Sequence, residues 1–585
     1  MKKLSLILCL ALLVTMFAGC GGKGDGKDNA DAVNDGIFST ATVNYKNDEG
    51  KANFSVVRAG NSSEESTAAA MLIFKQFKKQ QGLNIKNITD SNDGADNYEI
   101  LIGDTNRPES AQVKQWLEAN SDNRHLDYVI ATAGKKIVIQ AISQEGITLA
   151  SQYFVKNYLK ADTVKGGIKY VYKTEGNFEN LTVNGVPFGK FVFVRPHYNS
   201  SYMTYDQIEK LIEAVYQKTG YKPVINDDTV TEEAEYEIIV GDCARPNVTK
   251  IENDDEYKVT VSGKKIYVNG GNHPATTIAV AELAKIIAGK NELTDGDSFS
   301  GSYSQTVGSY DTSTYYTPKF WDDFNITTGD NYNANGLDTT KWKLSDSTSA
   351  GHNGATCRRA TDPDHVFVAD GLFQIHPYYD ESSNTFYGGF LETGGKMNMT
   401  YGYIEYSAKI PHGPGFWTAI WLRCNDRSGS SRPEIDIAES FGNSKTYAFN
   451  LHTWPGKGED AVEHTSLDGG KYPDKKKYCP DYKQFSDDFH TFGMLWTDKV
   501  AWATCDGTPF FKYSMGDKET DAWCFGKLMK ICISEAVGFE QCEGNPLDAS
   551  EEVWNTTAKY FVDWVYVYQI DDGKQRMVFD SDTIY

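Results

Sequence analysis

An internal repeat fills the first half of the chain and constrains its fold more than any other feature. The run Tyr-Glu-Ile-Leu-Ile-Gly-Asp at 98–104 returns as Tyr-Glu-Ile-Ile-Val-Gly-Asp at 236–242. Both copies continue to an Arg-Pro pair and then to a Gly-Lys-Lys-Ile run, which lie at 107–108 and 134–137 in the first copy and at 245–246 and 263–266 in the second. Because order and spacing are kept, the pattern predicts one domain that has been duplicated.

Each copy alternates strand and helix patterns. In the first copy Met71, Phe74 and Phe77 recur at helical spacing, and a hairpin that turns at Ala133-Gly134 is expected. Two tandem α+β domains are therefore predicted, at 38–175 and 176–305. The first has strands at 54–58 and 99–102, a hairpin over 128–139 and helices over 68–80 and 147–158, and the second has helices over 205–217 and 276–287.

Four polar residues recur at matching positions of the two copies, and two interpretations are open. Asp104 and Arg107 in the first copy correspond to Asp242 and Arg245 in the second. A repeated Asp-Arg pair could mark a ligand site. It could equally brace the turn that follows a buried strand, because Gly-Asp is favoured in such turns. The structural interpretation is the stronger of the two.

A short acidic stretch, Glu434-Ile435-Asp436-Ile437-Ala438-Glu439, dominates the second half of the chain. In an extended strand Glu434 and Asp436 share a face, whereas Glu439 should point to the opposite one. A β-bulge at Ile437-Ala438 would bring all three acids to one side. Three clustered carboxylates repel one another and serve no packing purpose, so this pattern indicates chemistry.

The region around this stretch has the pattern of an all-β domain. Between 318 and 572, turn signals recur every ten or so residues between short runs rich in Tyr, Trp and Val, and amphipathic helical spacing is not evident. Such spacing is typical of an antiparallel sandwich. The fold class predicted for the chain is multidomain, with two α+β repeats followed by this sandwich.

Several runs in this region resemble glycoside hydrolase family 16, and its laminarinase-like members in particular. They are Tyr401 to Glu405, Gly415 to Leu422, the acidic stretch with its bulge, and Phe561 to Tyr568, and they occur in the family's order. The resemblance implies a β-jelly roll whose concave sheet forms a substrate cleft. It also implies a retaining mechanism with Glu434 as nucleophile, Glu439 as general acid and base, and Asp436 between them.

Aromatic and polar residues beside the acids are the candidate substrate contacts. Sugar rings have apolar faces, and flat aromatic side chains suit them. Trp417 and Trp421 share one face of a strand, although one of the two could belong to the core. Asn450, His452 and Trp454 also share a face, and the resemblance implies that His452 contacts the substrate or the acid/base.

The resemblance further implies a structural Ca²⁺ far from the catalytic acids. Asp563 and the carbonyl group of Gly371 correspond to its ligands, and no cofactor is needed for catalysis itself. Three positions depart from the family pattern, namely Thr418, Ser407 and Leu495, and they leave the substrate less defined. A polar segment from Pro455 to Ser486, with three lysines at 475–477, is either a wall of the cleft or a surface loop.

The first residues have the pattern of a bacterial lipoprotein signal. Met1-Lys2-Lys3 precedes an apolar run, and Ala18-Gly19-Cys20 supplies small residues before a cysteine that would carry the lipid. An ordinary secretory signal is the alternative. The expected arrangement is a cell-surface protein that the lipid anchors to the membrane, with a signal at 1–20, flexible linkers at 21–37 and 306–317, and a tail at 573–585.

The formal net charge of −22 argues against a nucleic acid or an anionic membrane surface as partner, since either would need basic surface. A monomer acting on neutral polysaccharide is expected, with β-1,3-glucan or mixed-linkage β-1,3-1,4-glucan as the substrate of an endo-glycosidase. The alternatives are a galactan-cleaving enzyme of agarase or carrageenase type, a non-catalytic surface glycan-binding protein, and a transglycosylase that uses the same intermediate.

Overall fold

The chain divides into two compact units, of which the first ends at Asn177 and the second begins at Phe178. Predictions for Cys20, the signal, the two linkers and the tail fall wholly or largely outside the described residues. Among those residues, no helix is long and apolar enough to cross a membrane. The computed structural model describes residues 36–92, 94, 97–303, 317–424, 431–442, 446–455, 465–471, 485–514, 525–539, 542, 544–569 and 577–578.

The first unit is a mixed six-stranded sheet with helices, in the order β3-β2-β4-β6-β5-β8. The strands β3, β2, β4 and β6 run parallel to one another. The strand β5 lies between β6 and β8 and pairs antiparallel with both. Its elements are β1 (Val43–Asn44), β2 (Ser55–Arg58), α1 (Glu64–Gln81), β3 (Lys86–Thr89), β4 (Glu99–Ile102), α2 (Pro108–Asn120), β5 (Tyr128–Ala133), β6 (Lys136–Ala141), α3 (Gln144–Asn157), β7 (Thr163–Val164) and β8 (Lys169–Tyr172).

The predicted face of the first helix is partly wrong. Phe77 is buried and Phe74 packs against the core, but Met71 is 39% exposed. At 3.6 residues per turn, positions six apart are about 120° from each other, so Met71 and Phe77 cannot share one narrow face. The core face is instead formed with Ala70 and Ile73. The helix α2 was not predicted, and in the second copy the described residues after Pro246 form no helix before 273.

The second unit begins with another mixed six-stranded sheet, in the order β12-β11-β13-β15-β14-β17. Strand for strand, this is the order of the first sheet. Its elements are β9 (Thr182–Val183), β10 (Val186–Pro187), a 3₁₀ turn (Phe188–Lys190), β11 (Val192–Arg195), α4 (Tyr202–Thr219), β12 (Ile225–Asp227), β13 (Glu237–Val240), β14 (Glu256–Ser262), β15 (Lys265–Gly270), α5 (His273–Gly289), β16 (Glu292–Leu293) and β17 (Ser298–Ser302).

The recurring arginines brace loops through buried ion pairs. In the first sheet Arg107 and Lys136 both contact the Glu99 carboxylate, at 3.0 and 2.8 Å. Arg107 also donates to the backbone carbonyl groups of residues 90 and 92. In the second sheet Arg245, Lys265 and Glu237 form the same network. The arginines of the repeated Asp-Arg pairs therefore brace loops, as the structural interpretation predicted.

The rest of the second unit is a sandwich of two sheets. The smaller sheet has the order β22-β23-β36-β27-β32-β33-β34, with β18 beside β36, and the larger follows β20-β21-β25-β35-β28-β29-β30-β31. The strands are β18 (Phe320–Asp322), β19 (Lys343–Leu344), β20 (Thr348–Ala350), β21 (Thr356–Ala360), β22 (Val366–Ala369), β23 (Leu372–Ile375), β24 (Tyr378–Asp380), β25 (Thr385–Glu392), β26 (Asn398–Met399), β27 (Gly402–Lys409), β28 (Phe416–Cys424), β29 (Ser431–Ser440), β30 (Ala448–Pro455), β31 (Thr465–Lys471), β32 (His490–Trp496), β33 (Val500–Cys505), β34 (Thr508–Ser514), β35 (Met529–Val537), β36 (Tyr560–Tyr568) and β37 (Met577–Val578).

The predicted all-β sandwich is confirmed for this region. Its core lies between the sheets and combines alternate residues of facing strands, for example Ile404 and Val567 with Ile420 and Ile533. Helical structure among the described residues of the sandwich is limited to short pieces, of which α6 (Glu551–Asn555) is the longest. The two others are 3₁₀ turns at His352–Gly354 and Pro546–Asp548.

The smaller sheet is covered on its outer side by the second α+β domain. The segment 195–202, which leads from β11 into α4, makes six hydrogen bonds to the sandwich. Ser201 Oγ and the Tyr202 amide donate to Glu405, at 2.5 and 3.2 Å, and Glu405 is fully buried. Beside it, Met203 packs into a cluster of outward-facing aromatic rings that comprises Tyr403, Trp564, Tyr566 and Tyr568.

A fragment that lacks the second α+β domain should be much less stable. Six hydrogen bonds at about 1 kcal/mol each suggest a loss of roughly 6 kcal/mol, or about 12–24 °C in Tm. The comparison is calorimetry of fragments 178–585 and 318–585. In the full chain, Ser201→Ala should lower Tm and Ser298→Ala, at an exposed position of β17, should not. Equal Tm values for the two fragments would contradict this account.

Candidate active site

The three acids of the 434–439 stretch lie on one face of β29, as predicted. In the pairing with β30, Asp436 lies opposite Asn450 and Glu439 opposite Ala448, so two residues of β29 face one residue of β30. The pairing with β28 shows the same extra residue. The predicted bulge is therefore confirmed. Ile437 and Ala438 both lie in the core, as does Ile435, which leaves the carboxylates on the outer side of the larger sheet.

Burial dominates the electrostatics of these acids. Asp436 is 4% exposed and Glu439 is 9% exposed. Burial raises the pKa of both carboxyl groups well above their ordinary values, and for Glu439 the negative charge of Asp436 raises it further. Glu434 is less buried than its two neighbours. The arrangement therefore favours a protonated carboxyl at Glu439 near neutral pH.

The two predicted tryptophans contact the site in different ways. Trp417 Nε1 donates to Glu439 Oε1 at 2.9 Å, which orients that carboxyl group and partly offsets the increase in its pKa. The Trp417 ring also stacks on Phe441, with centroids 5.3 Å apart. Trp421 Nε1 donates instead to Ser534 Oγ at 3.1 Å. Both rings are partly exposed on the outer face of β28, so neither belongs to the core.

The predicted face of β30 is confirmed for Asn450 and His452. Both are partly exposed, and the intervening Leu451 is buried in the core. His452 Nε2 lies 3.0 Å from Asp436 Oδ2. The backbone of Trp454 continues β30, but its side chain lies outside the described part of the structure.

One side-chain grouping was not expected from the sequence. Donor atoms of Glu434, Asp436 and His452 all lie within 4.8 Å of one another, which is compact enough to hold a metal ion. No sequence pattern indicates a metal triad here, because His452 reaches the acids only through the register of β29 and β30.

The predicted calcium ligands lie on the opposite side of the sandwich, on the smaller sheet. Asp563 projects from the outer face of β36 into a cavity of about 420 Å³ that Asp323 and Asn325 also line. Gly371 is adjacent, because a Cβ atom there would lie 2.9 Å from Asn325 Oδ1. Burial raises the pKa of Asp563 to about 6, and the charge of Asp323 contributes. A cation would relieve this repulsion, so the residues fit a calcium site completed by carbonyl oxygens.

Other residues of the site come from strands that the acidic stretch did not identify. Ser534 on β35 holds Trp421, and Phe390 on β25 packs edge-to-face against the same ring, with centroids 5.8 Å apart. Arg423 on β28 lies directly opposite Glu434 in register. Alternation along β28 could have placed Arg423 on the face of Trp421. The residues from β25 and β35 depend on strand order, which local sequence patterns do not contain.

The lysine-rich segment around 475–477 lies outside the described residues, and so does most of Pro455 to Ser486. The described side chains of the site come from five neighbouring strands of the larger sheet, in the order β25, β35, β28, β29 and β30.

Comparisons with known proteins agree with this arrangement. Residues 354–566 match the family model for glycosyl hydrolases family 16. The chain is 27% identical over 276 residues to glucan endo-1,3-beta-glucosidase A1 of Niallia circulans, which covers 42% of this chain and 38% of that protein. It is 31% identical over 186 residues to endo-1,3-1,4-beta-glycanase ExsH of Rhizobium meliloti, which covers 31% of this chain and 33% of that protein.

The chain thus spans about a third of the length of these two relatives. Among solved structures it is similar to the catalytic domain of an endo-1,3-beta-glucanase (laminarinase) from Thermotoga petrophila, with 22% identity and a TM-score of 0.31. That match covers 43% of this chain and 97% of the other. The match to the family model shows that residues 354–566 of this chain are similar to glycosyl hydrolases family 16.

Proposed function

We propose that the sandwich is a retaining endo-glycosidase that hydrolyses β-1,3-glucan or mixed-linkage β-1,3-1,4-glucan. The observation that carries this proposal is the bulge in β29, which puts Glu434, Asp436 and Glu439 on one exposed side of the sheet. The two relatives, an endo-1,3-beta-glucosidase and an endo-1,3-1,4-beta-glycanase, support the choice of substrate.

In the first step Glu439 donates its proton to the glycosidic oxygen while the Glu434 carboxylate attacks the anomeric carbon. The bond to the leaving sugar breaks, and a covalent glycosyl ester forms on Glu434. Burial keeps Glu439 protonated for this role, and the indole of Trp417 holds its carboxyl group in place. Charge builds up on the sugar ring, and the neighbouring Asp436 carboxyl group is positioned to stabilise it.

In the second step the Glu439 carboxylate accepts a proton from water, and the water oxygen attacks the anomeric carbon. The ester bond to Glu434 breaks, and Glu439 is protonated again. Two displacements restore the original configuration at the anomeric carbon. His452, at 3.0 Å from Asp436, fixes the orientation of that carboxyl group between the two glutamates.

Replacement of the nucleophile should abolish turnover. Glu434→Gln removes the attacking carboxylate but keeps the shape of the side chain, so we expect kcat on laminarin to fall by about 10³-fold or more while binding persists. The assay is release of reducing ends by the full chain from laminarin, lichenan, agarose and κ-carrageenan.

The matched control is Glu381→Gln, an exposed glutamate in the turn between β24 and β25, which should retain full activity. The anomer released first, followed by NMR, tests retention, and product analysis separates hydrolysis from transglycosylation. Near-normal activity of Glu434→Gln would refute the assignment. Release from agarose or κ-carrageenan alone would favour the galactan-cleaving alternative.

The alkaline limit of activity should depend on Trp417. Activity is lost as pH rises through the pKa of Glu439, because the acid needed in the first step becomes ionised. The hydrogen bond from Trp417 lowers that pKa. Trp417→Phe should therefore move the alkaline limb of kcat/KM upward, by ~0.5–1 pH unit for a bond of about 1 kcal/mol.

Trp421→Phe is the control for this shift. It also removes an indole from the site, but that indole donates to Ser534 and not to a carboxyl group. Both variants should bind substrate less well, and only Trp417→Phe should move the alkaline limb. An alkaline limb of kcat/KM at the same pH in both variants would contradict the role given to Glu439.

We also propose that the cavity beside Asp563 holds a structural Ca²⁺. A ligand at 100 times its Kd stabilises a fold by about 2.7 kcal/mol, which corresponds to roughly 5–10 °C here. EDTA should therefore lower Tm by that amount, and added Ca²⁺ should restore it. The response should be lost in Asp563→Asn and kept in Asp498→Asn, which changes an exposed turn. An unchanged response in Asp563→Asn would refute the site.

A further inference from the structure

Two arginines stand beside an aromatic pair on the face of the larger sheet that carries the acids. The Arg359 guanidinium, from β21, lies 3.9 Å from the ring centroid of Phe390. The Arg423 guanidinium, from β28, lies 5.9 Å from that of Trp421. Phe390 and Trp421 are themselves in edge-to-face contact. The four side chains form one patch, which we call the arginine patch.

Neither guanidinium forms an ion pair within the described part of the chain, although Glu434 lies opposite Arg423 in register and the charge of Glu392 acts on Arg359. No carboxylate there lies within ion-pair distance of Arg359 or Arg423, and neither side chain donates a hydrogen bond to another described residue. The nearby acid, Glu392, is already held by Lys343 at 3.1 Å and by Lys530. The patch therefore has an excess of positive charge in a chain whose net charge is −22.

Burial makes this excess costly. Burial lowers the pKa of Arg359 and the positive charge of Arg423 lowers it further, while Cys532 and Glu392 act in the opposite direction without cancelling the effect. A partly buried cation without a partner loses hydration and gains no compensating interaction. Stacking on Phe390 and Trp421 supplies some stabilisation, but the edges of a stacked guanidinium remain available as hydrogen-bond donors.

The patch extends from the catalytic acids along the sheet. Arg423 lies directly opposite Glu434 in register. The strand of Arg359 is separated from that of Arg423 by β25 and β35, a distance of about 14 Å at ~4.8 Å per strand. A polysaccharide that crosses the strands would thus meet Trp421 next to the cleaved bond and Arg359 one or two sugars further on.

We infer that the arginine patch is a subsite for an acidic group, either a sulfate ester or a carboxylate, on the bound polysaccharide. An Arg guanidinium matches both groups, because its planar fork can donate two parallel hydrogen bonds to two oxygens. Trp421 and Phe390 provide the apolar surface for the sugar ring that carries the acid. Neutral hydroxyl groups could accept the same bonds, but they would leave Arg359 without an ion-pair partner among the described residues.

This inference rests on the proposed function for the path of the polysaccharide, and it narrows the substrate. The bond cleaved at Glu434 can still be a β-glucan linkage, because the acidic group is recognised at a neighbouring sugar. The basic residues come from within the sheet, and not from the lysines at 475–477.

The test compares three polymers with one backbone, namely laminarin, carboxymethylated laminarin and sulfated laminarin. Binding is measured by affinity electrophoresis with the full chain carrying Glu434→Gln, so that no polymer is degraded. We expect the acidic derivatives to bind about tenfold more tightly than laminarin, as charge-assisted hydrogen bonds imply. The difference should shrink as salt is added. Comparison of the sulfated with the carboxymethylated polymer shows whether a sulfate or a carboxylate is preferred.

Arg358 offers a matched control for Arg359. It is the adjacent residue of the same strand, it is exposed, and it pairs with Asp346 at 2.7 Å. In the Glu434→Gln background, Arg359→Gln should remove most of the preference for acidic polymers, and Arg358→Gln should leave it intact. Arg359→Lys should restore part of it, because the charge returns without the fork.

Equal affinity for all three polymers, or an equal effect of Arg358→Gln and Arg359→Gln, would overturn the subsite. Kinetic assays of the chain that keeps Glu434 distinguish failure of the subsite from failure of the proposed reaction. If no laminarin is hydrolysed but the Arg359-dependent preference is present, the subsite stands and the glycosidase proposal falls. If laminarin is hydrolysed and the preference is absent, the reverse holds.

Discussion

One extra residue in β29 determines what the larger sheet can do. Without it, the alternation of the strand would turn Glu439 into the core and leave only Glu434 and Asp436 outside. With it, Ile437 and Ala438 both pack inward and the three acids share the open side. The bulge breaks local strand pairing, and the core beneath it, formed by aliphatic and aromatic residues of both sheets, holds it in place.

The same crowding separates the roles of the acids. Three carboxyl groups so close together cannot all be ionised at low cost, and the structure gives each a different environment. Glu439 is buried beneath Trp417, Asp436 contacts His452, and Glu434 remains the most accessible. The high pKa of Glu439 is a consequence of where the bulge puts it, and the general-acid role that we propose for Glu439 needs that property. Burial of these carboxyl groups lowers the stability of the fold, and the large core of the sandwich offsets that loss.

The sequence could predict what depends on local pattern and could not predict what depends on strand order. Alternation identified the sandwich, the bulge and the faces of β28 and β30, since each follows from a period of two residues. Helical periodicity predicted α1 but put Met71 on its buried face. Residues spaced three apart rotate by about 60° at each step around a helix of 3.6 residues per turn, so Met71 and Phe77 point in different directions. Ser534, Phe390 and Arg359 reach the site from strands that are distant in sequence. Only the order β21-β25-β35-β28 brings them together, and no local pattern records it.

The two outer faces of the sandwich show how the chain treats unpaired charge. On the smaller sheet, the buried Glu405 receives hydrogen bonds from Ser201, Tyr202 and Tyr403, so its environment is complete without any ligand. On the larger sheet, the guanidinium groups of Arg359 and Arg423 receive no such complement from the described residues. The subsite proposed for the larger sheet supplies an acceptor from the substrate, whereas the smaller sheet supplies its donors from the chain itself.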